Sequence, residues 1–373
     1  MLLCIRLYGI VSESVNIIHF TQILMKLNGL NENMSTVTLK DIAKLAGVGP
    51  STVSRVINGH PEVNSKTREN ILRIIDEVKF SPNSNARNLK ITDSNNIAVL
   101  VKGISNTFFA PIIEKVEKMI VNEGYSVVLQ QVNQLENEIL FATRIINEKK
   151  VNGVVFLGGS FLWNSEDIGR LTVPFVFITT TLTYCDKGIF SSVCIDDVSE
   201  VKRVTDYLIG LGHKRIAVLV WEAQDNSVAE LRLEGYKKSL KANSIDYDEK
   251  LLIYAKSYSM EAGFNAVNDA LNSGRNDFTA VFAISDNLAV GAARALKDSG
   301  YSIPDDISVF GFDGQDISLY YDPVISTMKQ PSDEMAVCGV QQLFSLMNGN
   351  TNKQVFLEGV MMLGESCCSP KTL

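Results

Sequence analysis

Histidine is scarce in this chain: among 373 residues only His19, His60 and His213 occur, far apart in sequence. With no HExxH pair and no Cys/His cluster, a zinc enzyme has almost nothing to build on. The six cysteines, Cys4, Cys185, Cys194, Cys338, Cys367 and Cys368, form no CxxC pair, and the adjacency of the last two suits neither metal ligation nor a disulfide framework. A reducing, cytoplasmic setting is expected, with no metal and no other cofactor. Glycine (25) and proline (9) are too few for a collagen-like or low-complexity chain. No apolar stretch supports a transmembrane helix, so no membrane partner is expected. Gly158-Gly159-Ser160 is no phosphate loop, because no Gly-Lys-Ser/Thr follows at the required distance, and a kinase-type base is also missing. Catalysis is therefore not expected.

What is present is ample apolar residue, 46% of the chain against 21% charged, and a length that calls for two or three domains. The net charge of −7 argues against a protein coated with nucleic acid, yet that charge is unevenly spread. Residues 35–94 hold nine Lys/Arg against six acids, a net of +3, and the first 34 residues balance, which leaves −10 on residues 95–373. A small basic module ahead of a large acidic one is the asymmetry of a nucleic-acid reader joined to something else.

Residues 1–34 read as a disordered leader or as sequence ahead of a true start at Met34. Arg6 interrupts the apolar run of residues 2–11, and no cleavage-site pattern follows. Thr38-Leu39-Lys40-Asp41 then sets a hydroxyl N-cap three residues before a carboxylate. The helix it opens places Leu39, Ile42, Ala43 and Ala46 on one face, and Gly47 stops it. Pro50 is tolerated in the first turn of a second helix, residues 50–57, with Val53, Val56 and Ile57 inward and Ser51, Ser54 and Arg55 outward. A third helix from about Lys66 to Val78 brings Ile71, Leu72, Ile74, Ile75 and Val78 over the first two. Spacing alone leaves two readings open, a plain three-helix unit or a helix-turn-helix that reads DNA.

The residues themselves go further. Residues 37–48 (VTLKDIAKLAGV) and 51–59 (STVSRVING) closely resemble the headpiece of the LacI/GalR family of bacterial repressors. The resemblance implies double-stranded DNA as a partner, with Thr38, Pro50, Ser51, Thr52, Ser54, Arg55 and Asn58 contacting it. Gly49-Pro50 departs from the pattern, in which a serine commonly precedes a variable residue. The polar linker of residues 81–90 has one apolar anchor, Leu89. In the family this linker is a hinge helix, and Asn83, Ala86, Arg87 and Leu89 sit where its pattern asks. A leucine at the position of Leu89 wedges between base pairs from each subunit of a dimer, which bends the duplex. A homodimer on an inverted-repeat operator is implied.

From Asn96 onward, strands and helices alternate. Strands are predicted over 97–101, 125–130, 154–157, 175–178, 216–220, 280–284 and 308–310, and helices over 110–123, 201–211, 231–241 and 288–299. Two parallel α/β lobes result, with a second run starting after Asp196. Such lobes bind ligands at the carboxyl ends of their strands, between lobes. LGHKRIA at 211–217, RLEGY at 232–236, ISDN at 284–287 and SVFGFD at 308–313 resemble successive motifs of the same family. Its effector domain has the periplasmic sugar-binding-protein fold. By position, Arg232 and Asp313 match residues that hydrogen-bond the effector, and a guanidinium fork facing a carboxylate suits the vicinal diols of a sugar. Asp196 and Asp286 fall on positions that face or flank the cleft. Phe108 and Phe109 are either core or a flat platform for a sugar ring, and Trp221 is a similar candidate. His213 reads as structural.

The expected architecture is thus a helix-turn-helix headpiece (35–80), a hinge (81–94), a two-lobed α/β effector-binding and dimerisation domain (95–366) and a tail (367–373). The expected function is that of a DNA-binding transcriptional regulator, a repressor, whose operator affinity is set by a small-molecule effector, a sugar or sugar derivative. The alternative is a solute-binding protein without a DNA role. It would need export and would not carry residues 38–90.

Overall fold

A computed structural model describes residues 38–57, 63–78, 95–104, 106–133, 136–160, 163–221 and 228–371. The chain divides into two compact units, residues 1–90 and 91–373.

The first unit carries α1 (Leu39–Ala46), α2 (Pro50–Ile57) and α3 (Ser65–Glu77). Thr38 and Asp41 cap α1 reciprocally: the Thr38 amide donates to Asp41 Oδ2 at 2.9 Å, and the Asp41 amide donates to Thr38 Oγ1 at 3.4 Å. These bonds hold the Asp41 carboxyl below its ordinary value, with Thr38 as the main cause. Gly47 ends the helix in the left-handed region at φ +67°, where a side chain would be strained. Ile42, Ala43, Val53, Val56, Ile71 and Ile74 form the small core. Leu72, expected in that core, is 48% exposed. Positions 71, 74, 75 and 78 share one helical face, and 72 lies about 100° away from 71 around the axis.

The second unit begins with β1 (Asn96–Lys102), α4 (Phe109–Asn122), β2 (Ser126–Val132), α5 (Glu138–Lys149), β3 (Gly153–Leu157), α6 (Ser165–Ile168), β4 (Phe175–Ile178) and β5 (Ser191–Ile195). It continues through α7 (Asp197–Gly210), β6 (Ile216–Trp221), α8 (Val228–Ala242), β7 (Leu252–Ala255), α9 (Met260–Asn272), β8 (Ala280–Ala283), α10 (Asp286–Asp298), β9 (Ser308–Asp313), α11 (Asp316–Leu319) and β10 (Ser326–Lys329). It ends with α12 (Ser332–Met347), β11 (Gln354–Leu357) and β12 (Val360–Met362).

Two six-stranded sheets result, ordered β11-β5-β4-β3-β1-β2 and β12-β10-β9-β8-β6-β7. All pairings are parallel except β10 with β12, where Thr327 stands opposite Met362. The central strands are continuous apolar runs, such as the wholly buried Ile97 to Val101, because helices cover both faces of a parallel sheet. The lobes are not simply consecutive in sequence. After β10 in the second sheet the chain returns to the first lobe, where α12 sets Gly339 against Ile178 and Phe344 against Tyr125, with ring centroids 5.4 Å apart. A Cβ on Gly339 would come within 2.3 Å of Ile178 Cδ1, so a larger residue would push that side chain aside. β11 then pairs with β5, and β12 crosses back to the second sheet. Among the described residues no helix is long and apolar enough to cross a membrane.

Candidate functional site

On α2, Val53 and Val56 are buried, Pro50, Ser51 and Arg55 are exposed, and Thr52, Ser54 and Ile57 are half-buried. Pro50 opens the helix, where its missing amide costs no intrahelical bond, and the Gly49 carbonyl receives the Thr52 and Val53 amides instead. The packed side of the helix is thus fixed by two valines, and hydroxyl and guanidinium chemistry is presented on the other. Asn58, Asn83, Ala86, Arg87 and Leu89 lie outside the described residues.

In the second unit the carboxyl ends of strands from both sheets converge on one solvent-open cleft. Lys102, the last residue of β1, and Gly158-Gly159, after β3, line it from the first lobe, together with Asn106, Phe108, Phe109 and Thr179. Trp221, Arg232, Tyr258, Asp313 and Gln330 line it on the side of the second sheet.

Arg232, on α8, is 5% exposed and anchors the second wall. Its Nε donates to Asp197 Oδ1 at 2.8 Å and its Nη1 to the Ile284 carbonyl at 2.5 Å, with Asp313 Oδ1 3.5 Å away. The guanidinium carbon lies 3.9 Å from the centre of the Phe312 ring. Burial works against the arginine's charge, but the carboxylates of Asp197 and Asp313 outweigh it and raise its pKa further. One arginine shared by two buried carboxylates leaves an excess of negative charge. Burial pushes the Asp197 carboxyl up to about 6 in spite of Arg232, and it raises Asp313 as well. Asp313 adopts φ +108°, rare for a residue with a side chain. Its Oδ1 accepts from Gln330 Nε2 at 2.7 Å and its Oδ2 from Gln315 Nε2 at 3.3 Å.

On the first wall, Lys102 Nζ lies 3.1 Å from Glu138 Oε2, and the Ser160 amide donates to Glu138 Oε1 at 2.6 Å. Aromatic rings face the cleft from both sides. Phe108 and Phe109 are 5.7 Å apart and largely buried, while the half-exposed Trp221 lies 5.5 Å from Tyr258. The two phenylalanines are therefore core and cleft wall at once. The lobes are also joined directly: Asn287 Nδ2 donates to Thr107 Oγ1 at 3.3 Å, Gln315 Nε2 donates to Asn106 Oδ1 at 3.4 Å, and the Thr107 hydroxyl donates to Gln315 Oε1.

Of the residues expected in the cleft, Phe108, Phe109, Trp221, Arg232 and Asp313 line it, and Asp196 and Asp286 do not. Asp196 is the N-cap of α7, and its carboxylate is taken by the Ser199 amide at 3.1 Å and the Ser199 hydroxyl at 2.6 Å. Asp286 is wholly buried at the start of α10 and accepts the Gln315 amide at 2.6 Å, with burial raising its pKa well above its ordinary value. His213 is indeed structural. Its Nε2 donates to the Cys368 carbonyl at 2.9 Å and its Nδ1 contacts Thr279 Oγ1 at 2.8 Å, tying down the C-terminal segment, and burial lowers its pKa. Sequence reasoning missed Lys102, Asn106, Tyr258 and Gln330. The first two follow a predicted strand, so the strand-end rule could have reached them. The other two follow β7 and β10, strands too short to stand out.

A helical unit with an exposed polar helix face, joined in sequence to a two-lobed α/β unit with its cleft at the strand ends, defines a ligand-responsive DNA-binding regulator. Residues 38–83 match "Bacterial regulatory proteins, lacI family", and residues 205–367 match "Periplasmic binding protein-like domain". The chain is 41% identical over 344 residues to the HTH-type transcriptional regulator MalR of Clostridium butyricum, covering 89% of this chain and 99% of that one. Among solved structures it resembles the transcriptional regulator CelR–cellobiose complex (TM-score 0.64, 29% identity, 88% of this chain and 99% of that one). It also resembles the lac repressor dimer bound to operator and the anti-inducer ONPF (TM-score 0.64, 27% identity, 90% and 100%). The chain belongs to the lacI family of bacterial DNA-binding transcriptional regulators.

Proposed function

We propose that the protein is a homodimeric repressor that binds an inverted-repeat operator through α2 and the hinge segment, and that a sugar held in the cleft sets its operator affinity. The observation that carries the effector reading is the second wall. A buried guanidinium and a strained carboxylate line the cleft from adjoining elements beside the rings of Trp221 and Tyr258. Among the described residues Arg232 Nη2 keeps its donors for a ligand, and Asp313 supplies acceptors for adjacent hydroxyls once Gln315 or Gln330 yields. The ring faces suit the apolar face of a pyranose. In this reading Thr38, Pro50, Ser51, Thr52, Ser54, Arg55 and Asn58 meet the half-site, and Asn83, Ala86, Arg87 and Leu89 meet its centre. The cellobiose in the CelR structure and the operator in the lac repressor structure support the same assignment. A ligand couples to DNA only through a difference in its affinity for two arrangements of the lobes, with typical couplings of about 1–3 kcal/mol. The test is a thermal-shift screen of neutral mono- and disaccharides on the wild type and on Trp221→Ala. The expected result is stabilisation of the wild type by at least one sugar and a weaker response in the variant. A response unchanged by Trp221→Ala would place the ligand elsewhere.

A further inference from the structure

We propose that the buried pair Lys102–Glu138 makes the cleft selective for uncharged saccharides and turns away phosphorylated or acidic ones. This rests on the reading of the cleft as a sugar site and narrows it. Lys102 ends β1 and is the only cation among the described residues lining the first-lobe wall. Its Nζ lies 3.1 Å from Glu138 Oε2 and donates to the Glu136 carbonyl at 3.3 Å. Glu138 is 2% exposed and opens α5, where the helix N-terminus favours its carboxylate. Its other oxygen accepts the Ser160 amide at 2.6 Å. The turn before Ser160 presses close: Gly158 and Gly159 sit at φ +68° and +115°, and a Cβ on Gly159 would come within 2.7 Å of Glu138 Oε1.

A glycine turn that offers an amide beside a lysine is what an anionic ligand group would use. Here the protein's own carboxylate occupies that position. Across the cleft the other lining cation among the described residues, Arg232, is held by Asp197 and Asp313. With all five groups ionised the walls carry a net −1. Residues 105, 161–162 and 222–227, which adjoin cleft residues in sequence, contain no Lys or Arg. Among the described residues a phosphate or carboxylate in the cleft therefore meets only cations already paired with buried carboxylates and must compete with them, a cost a hydroxyl does not meet.

The test is titration calorimetry on the full-length protein with cellobiose, maltose, their 6′-phosphates and inorganic phosphate alone. A neutral disaccharide that binds the wild type is expected to bind at least about tenfold more tightly than its phosphate ester, with inorganic phosphate giving no binding. Glu138→Gln removes the carboxylate charge beside Lys102 at nearly constant shape, and it is expected to narrow that ratio about tenfold and to introduce phosphate binding. Lys102→Met combined with Glu138→Gln removes both charges and is expected to restore rejection. A phosphate ester that binds the wild type as tightly as its neutral parent overturns the proposal and leaves the sugar reading intact, even if Glu138→Gln does not fold. If no saccharide of either kind binds, the sugar reading fails, and the phosphate arm decides the proposal: Glu138→Gln binding phosphate no better than wild type overturns it.

Discussion

The two walls of the cleft hold their charges by different means. On the first wall Lys102 meets the Glu138 carboxylate, which a backbone amide also holds. On the second wall one arginine serves two buried carboxylates, both with raised pKa values, and one of them sits in a strained backbone conformation. The contrast separates two tasks. A balanced pair fixes what may not enter, whereas an unbalanced, strained cluster has something to gain from a ligand's donors, and strain of that kind gathers at functional sites.

The difference between the walls can be broken by mutation. Arg232→Leu strips both buried carboxylates of their partner and is expected to cost about 3–5 kcal/mol, read as a fall in the urea midpoint. Lys102→Met is expected to cost less, about 1–3 kcal/mol, because Glu138 keeps the Ser160 amide and its place at a helix start. Equal costs for the two variants would mean that the walls are electrostatically alike.

Acid titration sharpens the same contrast. With its carboxyl raised to about 6 from an ordinary 3.8, folded Asp197 holds a proton that the unfolded chain has already released. Its stabilising contribution is therefore complete below the unfolded value and is lost as pH rises through about 6. His213, lowered by burial, acts in the opposite direction, its contribution being lost as pH falls through its folded value. The difference in urea midpoint between wild type and Asp197→Asn should thus change between pH 4 and 7. A constant difference would assign Asp197 no raised pKa.

Much of this was legible in the sequence, for reasons that differ between the two units. The three-helix unit lies within one short stretch, so the cap at Thr38, the stop at Gly47 and the valines of α2 spell out its helices locally, and the resemblance of residues 37–59 to a known headpiece added the DNA role. The cleft is assembled from residues as far apart as Lys102 and Gln330. Arg232 and Asp313 were found because they sit in recognisable motifs, whereas Tyr258 and Gln330 follow four-residue strands with no marked periodicity. The return of α12 and β11 to the first lobe was invisible, since nothing in local pattern says which of two similar sheets a strand joins. Asp286 was carried over from the family pattern as facing or flanking the cleft, and tertiary packing buries it at the start of α10, outside the residues that line it.

Smaller effects remain on α2 and at the lobe junction. Arg55→Ala is expected to weaken operator binding by about 1–3 kcal/mol and to relax base preference at one symmetric position in each half-site. Equal losses on operator and random DNA, measured by competition, would reduce Arg55 to a phosphate contact. Thr107→Ala removes the hydroxyl that joins Asn287 and Gln315 and is expected to cost about 1 kcal/mol or less in stability.

The central claim is that the cleft ligand acts on DNA through the second wall. Its most direct test is an operator titration of wild type and Asp313→Ala, each with and without the neutral sugar that stabilises the wild type. The wild-type operator affinity should shift about 5- to 150-fold on adding the sugar, and Asp313→Ala should show no shift. An Asp313→Ala protein that responds at the same sugar concentration and to the same extent as the wild type would contradict the account.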